Sequence, residues 1–282
     1  MRRCLWLLVV VIGAFVLPIF GPCVAAAMDG LPVAVELTNM GSGSRGWVRI
    51  ADDEGLEPQN LTIEARVTPR GPGYGGTTPA GAGAVVVCKP MEGVTGTAVA
   101  SFAVKWHPVS EHVAVFVGHE LGSLGTQLWS TGTVPVNATA HVAMSFDGVW
   151  LRVFINGQLD SEVLALAGPI DYAEQDVLIG AGNFGDSLIR AFQGVIDDVR
   201  IWDYARNAGE ISAQMGCSLD GDEPGLLAYY SFNESDLRDD SGNGHAGVED
   251  GLVDYVLSND ACLPFLSDME AGDLSDWTSA VQ

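Results

Sequence analysis

The stretch from His141 to Val163 limits the possible folds more than any other part of the chain. His141-Val142-Ala143-Met144-Ser145-Phe146 alternates apolar and polar residues, Asp147-Gly148 follows, Val149–Ile155 runs on, Asn156-Gly157 interrupts, and Gln158–Val163 resumes. Asp-Gly and Asn-Gly both tolerate left-handed turn positions, so the pattern predicts three consecutive antiparallel strands joined by tight hairpins. Along the middle strand Val149, Leu151, Val153 and Ile155 share one face, and Trp150, Arg152 and Phe154 share the other. Large groups on both faces favour packing on both sides. A Trp150–Phe154 platform is the other reading.

The rest of the chain repeats this grammar. Leu61–Val67 alternates and is expected to end at Pro69, with residues 70–83 forming a long Gly/Pro/Thr-rich loop. Further strands are expected at Gly83–Cys88, Ala98–Trp106, Glu111–Gly118, Val177–Gly180, Phe192–Trp202 and Leu226–Phe232, with a turn at Asp239–Gly244. A single helix signal lies within residues 206–215, where Ala208, Ile211 and Met215 are helically spaced behind Asn207 as N-cap and Glu210 as its box partner. The predicted class is all-β, a two-sheet antiparallel β-sandwich with one short helix.

The ends of the chain carry other information. Arg2 and Arg3, the apolar run Leu5–Val16 and the small exit Ala25-Ala26-Ala27 read as a secretory signal over residues 1–27. The run is broken by Pro18, Gly21 and Pro22, which makes it short for a membrane span of about 20 apolar residues. An uncleaved anchor is the alternative, and lipid attachment at Cys23 fits poorly behind Pro22. No later run has spanning length, so the processed chain is expected to be secreted or held at the cell surface. Residues 28–262 then form the folded domain, and residues 263–282 a tail or a remnant of another module.

The net charge is −23, and the signal contains two arginines and no acid. Only Lys89 and Lys105 are lysines. Such a field repels nucleic acid and anionic lipid. It suits neutral glycans, cationic surfaces or a medium rich in divalent cations, and it also serves solubility alone. Of the five cysteines, Cys4 and Cys23 leave with the signal. Cys217 and Cys262 bracket the C-terminal segment in similar settings and are expected to pair, leaving Cys88 as a buried, inert thiol.

Residues 62–69, 141–158, 178–183 and above all 192–215 resemble the laminin-G-like, concanavalin-A-type domains of bacterial exported proteins. Residues 225–247 resemble a further element of that family, which often stands near the start of the domain and here follows it. The order of these pieces from Val33 to Tyr255 carries the resemblance. It implies a curved two-sheet jelly roll. It also implies a structural calcium joining the acids of the 197–201 strand to the later turn, which on this chain means Asp197 or Asp198 with Asp240, Asn243 and the backbone of Gly244. Oxygen ligands suit that ion, although neighbouring residues on a regular strand face opposite ways, so only one of the two strand acids should reach a shared site. The tail, through Phe265, Glu270, Gly272, Asp273, Leu274 and Trp277, resembles the opening of another exported module.

Catalytic signatures are missing from the sequence. The five histidines show no zinc spacing, there is no Gly-x-Ser-x-Gly elbow, and Asp160 and Glu162 read as a solvated strand face rather than a hydrolase pair. Aromatic platforms for a glycan could come from Trp106 beside His107, from Trp129, or from Trp47 and Tyr172, set against the commoner role of such residues in cores. The reading is a non-catalytic binding or adhesion domain with carbohydrate as the leading ligand class. A structural module with a protein partner at the cell surface is the rival, and a glycoside hydrolase stands third.

Overall fold

The computed structural model describes residues 32–39, 46–74, 83–91, 100–120, 124–183 and 188–258. The signal expected over 1–27, Cys262 and the tail expected over 263–282 lie outside them. In chain order the strands are β1 (Val33–Leu37), β2 (Gly46–Ile50), β3 (Leu61–Tyr74), β4 (Ala84–Pro90), β5 (Ala100–Trp106), β6 (His112–Glu120), β7 (Leu124–Thr133), β8 (Ala140–Phe146) and β9 (Trp150–Ile155). They continue as β10 (Gln158–Leu164), β11 (Val177–Ile179), β12 (Gly182–Asn183), β13 (Leu188–Ile189), β14 (Ala191–Trp202), β15 (Leu226–Tyr230), β16 (Gly247–Gly251) and β17 (Val253–Leu257), with α1 (Ala208–Gln214), the one α-helix among the described residues, between β14 and β15.

Two layers follow from the pairing. One runs β10-β9-β8-β3-β14, with β1 and β15 sharing the far side of β14 and β17 beyond β1. The other runs β16-β2-β11-β4-β5-β6-β7. β14 joins them, since Ala191 pairs with Val85 of β4 before the strand enters the first layer. Between the layers lies one core, in which Leu61, Ile63, Ala65 and Val67 of β3 meet Val113, Val115 and Val117 of β6. The expected alternation on β3 is therefore what closes the sandwich. Among the described residues no helix is long and apolar enough to cross a membrane.

The hairpins form where expected. Asn156 and Gly157 both take left-handed backbone, with φ of 49° and 73°. At Asp147-Gly148 only the glycine does so, and the Asp147 carboxylate instead accepts the N–H groups of Val149 and Trp150. The face of β9 that carries Trp150, Arg152 and Phe154 divides along its length and makes no platform: Phe154 is buried beneath Ile211 of α1, whereas Trp150 remains exposed. Asn207 and Glu210 form the full capping box.

Two expectations are corrected. β3 does not stop at Pro69 but continues to Tyr74, because Pro69 falls opposite Gly194 beside a register shift, where a missing N–H costs no regular ladder bond. Asp197 and Asp198 do not face opposite ways. A β-bulge places Asp197 opposite Arg66 and Arg200 opposite Glu64, with Asp198 at φ 49° between them. The extra residue turns both acids toward Arg66, whose Nη2 lies 3.0 Å from Asp198 Oδ2 and whose Nη1 lies 4.0 Å from Asp197 Oδ2.

Candidate functional site

The outer face of the second layer is built by the cross-strand register. Val104 and Trp106 point into the core, so Lys105 between them points outward. Val85 stands opposite Lys105, Lys105 opposite Ala114, and Ala114 opposite Trp129. In parallel, Leu178 stands opposite Cys88, Cys88 opposite Ala103, and Ala103 opposite Phe116. The small residues Ala100, Ala103 and Cys88 let the half-buried rings of Trp47 and Phe116 settle against Val85 and Leu178. The result is a face with an apolar floor and aromatic groups at intervals.

At the β2 end of this face lies a groove of about 260 Å³, lined by Trp47, Arg49, Pro90, Glu174, Gln175, Asp176, Leu178 and Asp250. Arg49 holds its two acids at fixed positions: Nη1 lies 3.1 Å from Asp176 Oδ2, and Nε lies 3.1 Å from Asp250 Oδ2. The other oxygen of Asp176 accepts the Asp52 N–H at 3.0 Å. Those acids raise the already high pKa of Arg49, chiefly through the Asp176 hydrogen bond. Lys89, fully buried, fastens the neighbouring loop by donating to the Gln175 carbonyl at 2.8 Å while pairing with Asp52 and Glu57. An aromatic floor thus adjoins polar groups whose directions are set before any ligand arrives.

The aromatic residues singled out in the sequence divide. Trp106 is a core residue, with its indole donating to the Val134 carbonyl at 2.8 Å and its ring edge-on to Phe192. His107 and Trp129 meet edge-on, 5.6 Å between centroids, toward the opposite edge of the layer from Trp47. Tyr172 donates its hydroxyl to the Pro58 carbonyl. Trp47 alone of these sits in the groove. Its polar companions left no local signal, because Asp176 and Asp250 reach Arg49 from 127 and 201 residues away.

The family model for the concanavalin A-like lectin/glucanases superfamily, of laminin-G type, matches residues 42–212, more than half of the chain. The chain belongs to this superfamily. Its fold is shared with solved members at low identity. One is a Bacteroides ovatus protein assigned a carbohydrate-binding role, with a TM-score of 0.57 and 16% identity over 81% of this chain and 60% of that one. Another is the heptameric SAP-like pentraxin of Limulus polyphemus, with a TM-score of 0.58 and 15% identity over 82% of this chain and 98% of that one. No curated protein matches the sequence.

The calcium ligands implied by the superfamily resemblance are already engaged elsewhere. Asp198 accepts from the Tyr229 hydroxyl at 2.7 Å and from Arg66 at 3.0 Å, with Arg200 3.5 Å away. Asp197 accepts the Asp198 N–H and the Ser258 hydroxyl. Asp240 accepts from Ser231 and from Arg238, and Asn243 donates to the carbonyls of Leu226 and Leu227. Gly244 takes left-handed backbone at φ 94°, which fits its place in the turn. Among the described residues no three of His, Cys, Asp and Glu gather around a possible ion. Two guanidinium groups beside Asp198 disfavour a further cation there, so these residues do not fit the ion as a set.

Proposed function

We propose that this protein is a non-catalytic carbohydrate-binding domain, exported by its N-terminal signal and acting outside the cell or at its surface. The observation that carries this reading is the half-buried indole of Trp47 on an apolar floor, beside the preset polar array of Arg49, Asp176, Asp250 and Gln175. A pyranose presents an apolar C–H face and a rim of hydroxyls, and such a groove matches both. Hydrolysis would need one carboxyl kept protonated to act as an acid. Arg49 instead ion-pairs with both Asp176 and Asp250 at 3.1 Å, an arrangement that fixes their oxygens as acceptors for ligand hydroxyls. The test is a glycan array followed by titration with Trp47→Ala. At least a tenfold loss of affinity with the melting temperature retained supports the reading, and unchanged binding sinks it.

One observation favours the rival, a protein-binding module at the cell surface. Val149, Trp150, Leu164 and Leu166 are all exposed at one end of the β9–β10 pair, where Trp150 stands opposite Leu164. If that edge is the functional one, Trp150→Ser with Leu164→Ser removes attachment to cells, while Trp47→Ala leaves it intact.

A further inference from the structure

We infer that the Trp47 groove selects saccharides bearing free, protonated amines, in preference to their N-acylated counterparts and to acidic sugars. This rests on the carbohydrate reading above and names its ligand class.

The argument is one of charge at fixed positions. Among the described residues Arg49 is the only cation lining the groove, and its Nη1 and Nε are held by Asp176 and Asp250, 3.1 Å away on each side. Its single charge is outweighed by the acids beside it, so a ligand carboxylate entering the groove meets a net negative rim. Glu174 stands on the same rim, exposed, and among the described residues its carboxylate has no hydrogen bond or ion pair; only its backbone carbonyl is used, by Gln175. Three carboxylates therefore face one guanidinium across this groove. An ammonium gains from Glu174 and from the negative face of the Trp47 indole together. Acylation removes that charge and with it both attractions, and a uronate meets like charge. The net charge of −23 adds a long-range attraction of the same sign for cationic oligosaccharides.

The experiment titrates the full chain at low salt with three probes of equal length: a glucosamine oligosaccharide, its fully N-acetylated form, and a galacturonate oligosaccharide. The expected order is amine, then N-acetyl, then uronate, with the amine favoured over the N-acetyl form about threefold or more, as for a charge pair at an exposed rim. Glu174→Gln should shrink that preference by weakening the amine more than the N-acetyl form, and Trp47→Ala should abolish binding of both. Equal binding of amine and N-acetyl forms overturns the inference. So does an amine preference that Glu174→Gln leaves undiminished or that survives Trp47→Ala, since the attraction then belongs to the general acidic surface. If the N-acetyl form binds through Trp47 and the amine gains nothing, carbohydrate binding stands and only the selectivity falls. If no oligosaccharide binds at all, the carbohydrate reading fails and takes the selectivity with it.

Discussion

The guanidinium of Arg206 closes on the carboxylate of Glu64 beneath α1, and both side chains are shut away from water. Around this pair the outer face of β3, β8 and β14 carries a buried ionic cluster. His141 Nε2 lies 3.2 Å from Glu64, and Arg206 stacks over Trp202 with 4.1 Å to the ring centroid. Arg200 donates to the carbonyls of Gln214 and Cys217, and Arg66 to that of Met215. These are carbonyls at the end of α1, which an isolated helix would leave unsatisfied. The cluster thus seats the helix as well as balancing charge.

Removing Glu64 should be costly. In Glu64→Gln, Arg200 and Arg206 lose their shared counter-ion in a dry site, a change worth roughly 3–5 kcal/mol. Urea unfolding of the variant should show a loss of that order, and a loss below about 1 kcal/mol would deny the cluster its role. Burial alone would raise the Glu64 pKa, but His141, Arg206 and Arg200 outweigh it and hold the group below its ordinary 4.5. Its contribution is therefore present above pH 4.5 and lost as pH falls through the lower native value, so the wild type should lose more stability in acid than the variant does.

Lys105 should give the opposite limb. It is buried and lies over the Phe116 ring at 5.6 Å, and burial pushes its pKa down from 10.5 to about 8. The unfolded chain then binds more protons than the native one above pH 8, so stability should rise as pH climbs from 8. Burial of the Cys88 thiol, pushed up to about 12 from 9, opposes this above pH 9. A rise confined to about pH 8–9, absent in Lys105→Met, is the expected profile by thermal unfolding. The variant should also melt higher at pH 7, because it removes a buried ammonium that no carboxylate among the described residues pairs with.

Calcium should have little effect. The carboxylates of Asp197, Asp198 and Asp240 are taken by arginines and hydroxyls, so millimolar calcium and excess chelator should leave the melting temperature within a degree or so of each other. A rise of several degrees with calcium would mean the native state holds the ion and must rearrange around Asp198 to do so.

The cysteines can be read chemically. Cys88 is free and buried, its thiol donating to the Ala181 carbonyl at 3.4 Å. It should resist thiol reagents in the native protein and react once denatured. Peptide mapping without reductant should recover Cys217 linked to Cys262. Recovery of Cys88 in any disulfide would contradict both expectations.

Much of the fold was legible in the sequence because its signals are local. Alternation at Leu61–Val67 and His141–Phe146 sets which residues face the core, and the Asn156-Gly157 and Asn207–Glu210 motifs act within three residues of themselves. The family resemblance added the order of the sandwich elements. Trp106 stood between a platform and a core role because a Trp on an alternating strand looks the same from either side; only the facing layer decides, burying it against Phe192.

The sequence by itself therefore determined the strand class, the tight turns, the single capped helix and the acidic balance of the chain, all properties of residues and their near neighbours. The tertiary structure alone decided the bulge that turns Asp197 and Asp198 to one side, the ionic cluster under α1, and the groove that brings Trp47 and Arg49 to Asp176 and Asp250. Those depend on pairing register between strands far apart in the chain, and a shift of one residue there would send every side chain to the opposite face.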